Sequence, residues 1–487
     1  MSTPPADPHL PAVHLRPPRN WINDPNGLVF HDGHYHVFFQ YNPYGPQHAN
    51  VHWGHFRSPD LITWEELPVA LAPTPGGDDA DGCFSGNAIS VDGRLVAFYS
   101  ANRTGRWWQP VTTAESYDGG HTWAKRPELL IPQPPADATM YRDPYVWRQD
   151  GGWRMLVGSA FADGRGAALL YESDDLENWA HRGPFHVSSP ATTTAPVGWE
   201  CPQYATFGDR AVLIVSDWTP QGGPSHTTVH TGHEQGGRFT ASAPPVPLDH
   251  GPDFYAPALL KAPEEDRWLL WGWAWEARDA DWVNEAGWAG VLTLPREVTL
   301  AADGTVVQRP ARELLALRGE RVLHRTGHIT ESGTAELGQV SRTFDLTAVL
   351  TPDTTGTSGL RLVTSADGSE YLDITLDPTA GRITVDRSHA STDARARAGA
   401  YALPYPAAEA PGTPVELRVM VDRSIAEIYL AGGQVLTLRF YPLADGPWRL
   451  QAHATGTGRG DFTVEAWDLT PAGLVQESLL AGHRQDA

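Results

Sequence analysis

Cysteine is almost missing from this chain: Cys83 and Cys201 are the only two in 487 residues. Two thiols make neither a disulfide framework nor a cysteine-built metal site. Basic residues are scarce too. Lys and Arg number 36 against 58 Asp and Glu, a formal charge of −22. That balance excludes the usual nucleic-acid binder, which carries basic patches. It leaves neutral partners open, because strong negative charge more often serves solubility. No apolar run reaches bilayer-spanning length, so no membrane partner is expected. The stretch MSTPPADPHLPAVHLRPP lacks a basic n-region and an apolar h-region. No secretory signal is therefore seen, and a cytoplasmic location is expected. Helix-period segments are few as well.

What the chain does have is glycine (48), proline (42) and tryptophan (19), with 41% hydrophobic residues. Short strands and turns dominate, so an all-β protein is expected. The length exceeds one ordinary core and predicts two domains.

Three segments repeat: RSPDLITWEELP, ESYDGGHTWAKRP and ESDDLENWAHRGP. Each reads Ser-x-Asp, a short gap, then Trp. Their serines, Ser58, Ser116 and Ser173, stand 58 and 57 residues apart. A period of that size with several strands per unit predicts propeller blades. In this motif Asp ties a turn, and Trp packs between neighbouring sheets.

The stretch RNWINDPNGLVF places Asp24 in a dense turn signal, and alone it reads as a turn cap. Its spacing says otherwise. Asp24, Asp143, Glu200 and Asp253 each open a predicted strand, at separations of 119, 57 and 53 residues. These are about two, one and one periods, and DGCFSGNAI near residue 84 fills the open slot. Turn caps scatter, whereas these acids recur in register. They are expected to ring one end of a central channel.

Clustered carboxylates repel, which pushes their pKa values apart. One stays ionised while another keeps a proton, as glycoside hydrolysis requires. Calcium is the main competitor for such a cluster. No EF-hand loop, His-Glu-x-x-His or zinc spacing is present, so no metal or cofactor is expected. The aromatic residues Trp21, Trp53, Phe84, Trp199, Tyr255 and Trp273 lie near the acids in sequence and favour a sugar pocket. Taken singly, each is more readily explained as core.

At these residues the chain resembles the β-fructofuranosidases of glycoside hydrolase family 32, which include invertases, exo-inulinases and levanases. NWINDPNG, FFQYNP, HWGH, FSGNA, YRDP, WECP, DFYAP, WGWAWE and LPRE are similar to family blocks, in family order. VDRS at 421–424 is similar to a motif of the family's second domain. The resemblance implies a five-bladed β-propeller followed by a C-terminal β-sandwich. It implies Asp24 as nucleophile, Glu200 as general acid/base and Asp143 as transition-state stabiliser. Asn23, Gln40, Trp53, Ser85 and Arg142 match positions that line the family's fructose pocket, and Asp253 matches a block near it. Phe84, Tyr255 and Trp273 are taken with them as substrate-binding. Arg142 is expected to keep Asp143 ionised, and Cys201 to pack. The substrate implied is sucrose or a fructan.

The loop after WECP departs from many relatives, and Asp217-Trp218 is expected to reshape the leaving-group side. Expected domains are a propeller over 1–304, a linker over 305–320 that includes ARELLALRGE, and a sandwich over 321–487. Asp386-Arg387 and Asp422-Arg423 are read as structural ion pairs at strand ends. A carbohydrate-binding or dimerising role for the second domain stays open, as does monomer against homodimer. Three rival readings remain: a fructosyltransferase using the same residues, a sugar-binding propeller with inert acids, and an arabinan- or xylan-acting propeller.

Overall fold

The computed structural model describes residues 7–189, 198–219, 223–264, 266–352, 356–405, 413–444, 446–456, 459–470 and 474–475. The start of the stretch read for a leader (residues 1–6) and the end of the expected second domain (476–487) lie outside them.

The repeat motif is a local hydrogen-bond unit. Ser58, Ser116 and Ser173 each donate Oγ–H to the Asp two residues on, at 3.1, 2.9 and 3.1 Å. Each Asp caps the following turn: Asp60 accepts the Thr63 amide at 2.7 Å, Asp118 that of Thr122 at 2.9 Å, Asp175 that of Asn178 at 2.8 Å. Each Trp indole then donates to the carbonyl three residues back, at 3.1, 3.0 and 2.9 Å for Trp64, Trp123 and Trp179. The turn thus aims the ring sideways, into the preceding sheet. Trp179 meets Phe98, Trp123 meets Phe38, and Trp64 meets Trp271. That last contact joins the first sheet to the fifth.

Five sheets, antiparallel but for two short parallel additions to the first, follow one another along the chain. Their innermost strands are Asn20–His31, Gly82–Val91, Ala138–Gln149, Gly198–Phe207 and Tyr255–Lys261. Each packs beside the next, and the fifth beside the first, so the sheets close into a five-bladed propeller. Closure buries the faces between blades, where Phe38, Phe98, Leu156, Leu213 and Leu270 are fully covered. Side chains of that size contribute about 1.5–3 kcal/mol each when buried.

The fifth blade ends with the hairpin Arg296–Leu300 and Val306–Pro310. The expected boundary at 304 falls inside that hairpin, whose two strands pair through Leu300 and Val306. A 3-10 helix, Arg312–Leu317, follows and places Leu314 and Leu317 in the core. The next strand starts at Arg318, so the connection is shorter than the 305–320 read from sequence.

The second domain is two six-stranded sheets face to face, a β-sandwich. Its strands alternate as a half-buried sheet demands: in Tyr371–Asp377 every second residue is buried. Leu346, Ile374, Val385, Ile428 and Val464 belong to the shared core. Among the described residues no helix is long and apolar enough to cross a membrane.

Asp386-Arg387 and Asp422-Arg423 are structural, but neither pairs within itself. Arg387 reaches across to Asp253 of the propeller. Asp422 binds His14 at 2.9 Å and the backbone amides of Ala12 and Val13.

Candidate active site

Every inner strand carries a β-bulge at the same height. The ladder skips between Ile22 and Pro25, Phe84 and Gly86, Arg142 and Pro144, Glu200 and Gln203, and Tyr255 and Ala258. A bulge re-aims side chains, and it tolerates proline, which cannot donate to a ladder. Pro25, Pro144, Pro202 and Pro257 occupy four of the five. Asp143, Cys201 and Ala256 take left-handed backbone there, with φ of 63°, 45° and 44°. Such residues cost about 1–3 kcal/mol each and persist where the surroundings hold them.

The bulges build two rings of five. Asn23, Phe84, Arg142, Glu200 and Tyr255 form one. Asp24, Ser85, Asp143, Cys201 and Ala256 form the other, buried throughout. All of them but Cys201 and Ala256 line, with Trp21, Gln40, His48, Trp218 and Trp273, a cavity of about 290 Å³ at one end of the channel.

Asp24 is held by three neutral side chains. Ser85 Oγ donates to Oδ2 at 2.5 Å, Gln40 Nε2 to Oδ2 at 3.3 Å and Asn23 Nδ2 to Oδ1 at 3.0 Å. Asn23 is fixed in turn by Gln40 Oε1 at 2.8 Å and by the Trp21 indole at 2.7 Å. Burial raises the Asp24 pKa, and the Ser85 and Asn23 donors oppose it.

Asp143 hangs from the neighbouring blade. Its backbone N–H donates to Ser100 Oγ at 2.7 Å, and its Oδ2 accepts the Cys201 N–H at 3.1 Å. Burial, then the charge on Glu200, pushes it up to about 7. The expectation that Arg142 keeps Asp143 ionised is corrected here. Arg142 lowers that pKa only in part, and its Nε lies 2.9 Å from Glu200 Oε1 instead. The bulge explains this, because it turns Asp143 away from its chain neighbour.

Glu200 accepts from Tyr255 Oη at 2.8 Å, and Tyr255 also reaches the Asp217 carbonyl at 3.1 Å. Burial raises its pKa, Arg142 lowers it and Asp24 raises it. Cys201 Sγ stands between Asp24 and Asp143, 3.7 and 3.6 Å from their oxygens. Burial and those carboxylates push the thiol far up, so it stays protonated and unreactive at neutral pH.

Asn23, Gln40, Phe84, Ser85, Arg142, Tyr255 and Trp273 line the cavity with the three acids. Trp53 does not. It sits on the third strand of its blade, His52–Ser58, fully buried behind the wall against Phe38 and Tyr99. Its indole supports the Phe84 carbonyl at 3.1 Å. Trp199 is likewise buried, against His186 and His230.

Asp253 also lies elsewhere. It precedes the bulge at Ala256-Pro257 by three residues and is out of phase with the other acids. It is fully buried beside Arg387 and accepts the Arg439 N–H at 2.7 Å. Tyr255 takes the place Glu200 has in its blade.

His48 and Pro224 line the cavity with no motif to announce them. Trp218, singled out by the departing loop, carries Arg142 over its ring at 4.8 Å.

Three buried acids whose proton affinity burial raises, neutral hydrogen-bond donors and aromatic walls, set in a five-bladed propeller, define a glycosidase. Residues 14–310 match the family model for the Glycosyl hydrolases family 32 N-terminal domain, and residues 313–468 that for the family's C-terminal domain. The chain belongs to glycosyl hydrolase family 32. A sucrose-6-phosphate hydrolase of Zymomonas mobilis is 32% identical over 473 residues, covering 89% of this chain and 87% of its own. A raffinose invertase of Escherichia coli is 34% identical over 465 residues, covering 89% and 90%. The crystal structure of fructan 1-exohydrolase IIa from Cichorium intybus matches with a TM-score of 0.85 at 25% identity, over 96% of this chain and 99% of that one. An exo-inulinase from Aspergillus awamori matches at 0.81 and 26%, over 96% and 99%.

Proposed function

We propose that this chain hydrolyses β-linked fructosides such as sucrose and short fructans by double displacement. Asp24 is the nucleophile, Glu200 the general acid/base and Asp143 the transition-state stabiliser. The observation that carries this reading is the meeting of Asp24, Asp143 and Glu200 in one cavity from three different blades.

The roles follow from the surroundings. Asp24 has three donors that favour its charged form, which suits attack on the anomeric carbon. Glu200 stands toward the aromatic rim and has a raised proton affinity, which suits an acid. It protonates the glycosidic oxygen as Asp24 forms the ester bond and the leaving alcohol departs. Glu200, now ionised, takes a proton from water, which attacks the same carbon and frees Asp24. Asp143 faces the sugar where positive charge builds in the oxocarbenium-like transition state. Asp143 and Glu200 each feel the other carboxylates' charge, so their protons come off as those of a linked pair beside Asp24. Activity therefore falls in acid, as Asp24 is protonated, and in base, as Glu200 loses its proton. A cytoplasmic location, agreeable to two buried unpaired cysteines, belongs to this proposal.

Release of fructose from sucrose by the purified protein tests it. Asp24→Asn is expected to lower kcat by at least about 10^4-fold. Glu200→Gln is expected to lower it by about 10^2–10^4-fold. Full activity in both variants overturns the assignment.

A further inference from the structure

Both oxygens of Glu200 are held by groups that one dipeptide holds in turn. Tyr255 Oη lies 2.8 Å from Glu200 Oε2 and 3.1 Å from the Asp217 carbonyl. Arg142 Nε lies 2.9 Å from Glu200 Oε1, and its guanidinium sits over the Trp218 ring at 4.8 Å. Each donor to Glu200 thus has a second partner, and Asp217-Trp218 supplies both.

The Tyr255 hydroxyl has one proton and two acceptors. While Glu200 is protonated, its own O–H donates to Tyr255 Oη, and the tyrosine proton goes to the Asp217 carbonyl. Once Glu200 is ionised, the tyrosine proton turns to the carboxylate. The carbonyl therefore favours the acid form. The Trp218 face acts in the same direction, because it draws a cation that would otherwise belong wholly to Glu200.

The dipeptide is pinned from behind. Asp217 lies in Arg210–Trp218, opposite Trp199 of the strand that carries Glu200. On its other side Ser216 pairs with Thr227 and Trp218 with Pro224, so Ser225 and His226 both stand opposite Asp217. This bulge brings His226 Nε2 to 3.3 Å from Asp217 Oδ2, and Ser225 Oγ lies 2.8 Å from Nδ1. The Asp217 carboxyl is buried and His226 is exposed. Burial pushes that carboxyl up to about 6, and the charge of His226 opposes the rise. His186 and His230, across Trp199, are kept neutral by burial, as are His48 and Cys201 beside Glu200. The charges that face Glu200 itself are Arg142, Asp24 and Asp143. Neither Asp217 nor His226 lines the catalytic cavity.

We infer that Asp217 and His226 are positioning residues, whose contact fixes the Asp217 carbonyl and the Trp218 ring where they keep Glu200 in its acid form. The inference rests on the proposed role of Glu200 in fructoside cleavage. Removing His226 separates positioning from plain charge. A lost cation alone strengthens the hold of Glu200 on its proton. Lost positioning weakens it, because Tyr255 and Arg142 then turn fully to the carboxylate.

The test is the alkaline limb of the pH profile of kcat/KM for sucrose, which reports ionisation of the acid in the free enzyme. His226→Ala is expected to move that limb down by at least about 0.5 pH unit, roughly threefold in kcat/KM beyond it. KM at the optimum is expected to stay within about twofold. Asp217→Asn is expected to move the limb in the same direction. His226→Lys restores a cation beside Asp217 and is expected to return the limb to its wild-type place. Circular dichroism identifies the variants that fold. A limb that stays or rises in either folded variant, a loss equal at every pH, or a lysine variant that leaves the limb displaced overturns the inference while fructoside cleavage stands. A wild type that releases no fructose from sucrose removes the reading beneath it.

Discussion

Asp143 shows at the scale of one residue how a buried acid among acids opposes stability. Its carboxyl titrates near 3.8 when free and is pushed up to about 7 here by burial and the charges of Glu200 and Asp24. Between those values the native state keeps a proton that the unfolded chain has lost. Stability therefore declines as pH rises through that window, and the whole penalty is present above it. Asp143→Asn removes the charge and keeps an acceptor for the Cys201 amide. Its Tm is expected to exceed the wild type's by about 2 °C at about pH 8, with the gain gone at about pH 4. Its kcat is expected to fall by at least about 100-fold. Thermal melts across pH, beside initial rates, check both halves. A variant less stable than wild type at alkaline pH contradicts the assignment of strain to this carboxyl.

At the scale of the element, the working part is the bulge on each inner strand and the close approach it permits. Gly158 pairs with Arg142 in blade three and lies against the fourth blade. A Cβ there would meet the Trp199 carbonyl, with the Arg142 carbonyl at 3.1 Å and Glu200 Cα at 3.3 Å. Gly158→Ala is thus expected to move Glu200 and Arg142 without touching substrate. A fall in kcat of at least about tenfold, with far-ultraviolet circular dichroism unchanged, is the expected outcome. Unaltered kcat would mean the blades give way freely there. The same bulges explain what the sequence made legible. Period and phase alone gathered Asp24, Asp143 and Glu200. Spacing tolerates an error of a few residues and a bulge does not, so Asp253 was counted in the ring although it stands three residues early. Trp53 was misplaced because its block says nothing about which strand of the blade faces the channel. His48 was invisible because its contacts with Trp21 and Phe84 are purely spatial. Arg142's true partner needed the backbone turn at Asp143, which a linear spacing does not carry.

The whole molecule is held by buried charge between its two domains. His14 lies with Nδ1 2.9 Å from Asp422 and Nε2 3.1 Å from Glu427, all without exposure. Glu427 also binds Arg296, which pairs with Asp249 at 2.8 Å. An imidazole between two carboxylates is satisfied only as imidazolium. Burial opposes that charge, but the two partners raise the His14 pKa above 6.5, and both carboxyls are held down at about 2. The stabilisation is complete below pH 6.5 and is lost as pH rises through the raised native value. His14→Gln is expected to lower Tm most at or below pH 6.5, with the difference narrowing on the alkaline side. A deficit that grows with pH contradicts a protonated His14.

The same two-domain body brings three acids to one cavity, and the stereochemistry of transfer tests directly the roles proposed for them. Methanol, added as acceptor during sucrose cleavage, fixes the anomer because methyl fructosides do not mutarotate. Two displacements, through Asp24 and then methanol assisted by Glu200, yield methyl β-fructofuranoside by nuclear magnetic resonance. The α-anomer, the product of a single inversion, would contradict the proposed covalent intermediate.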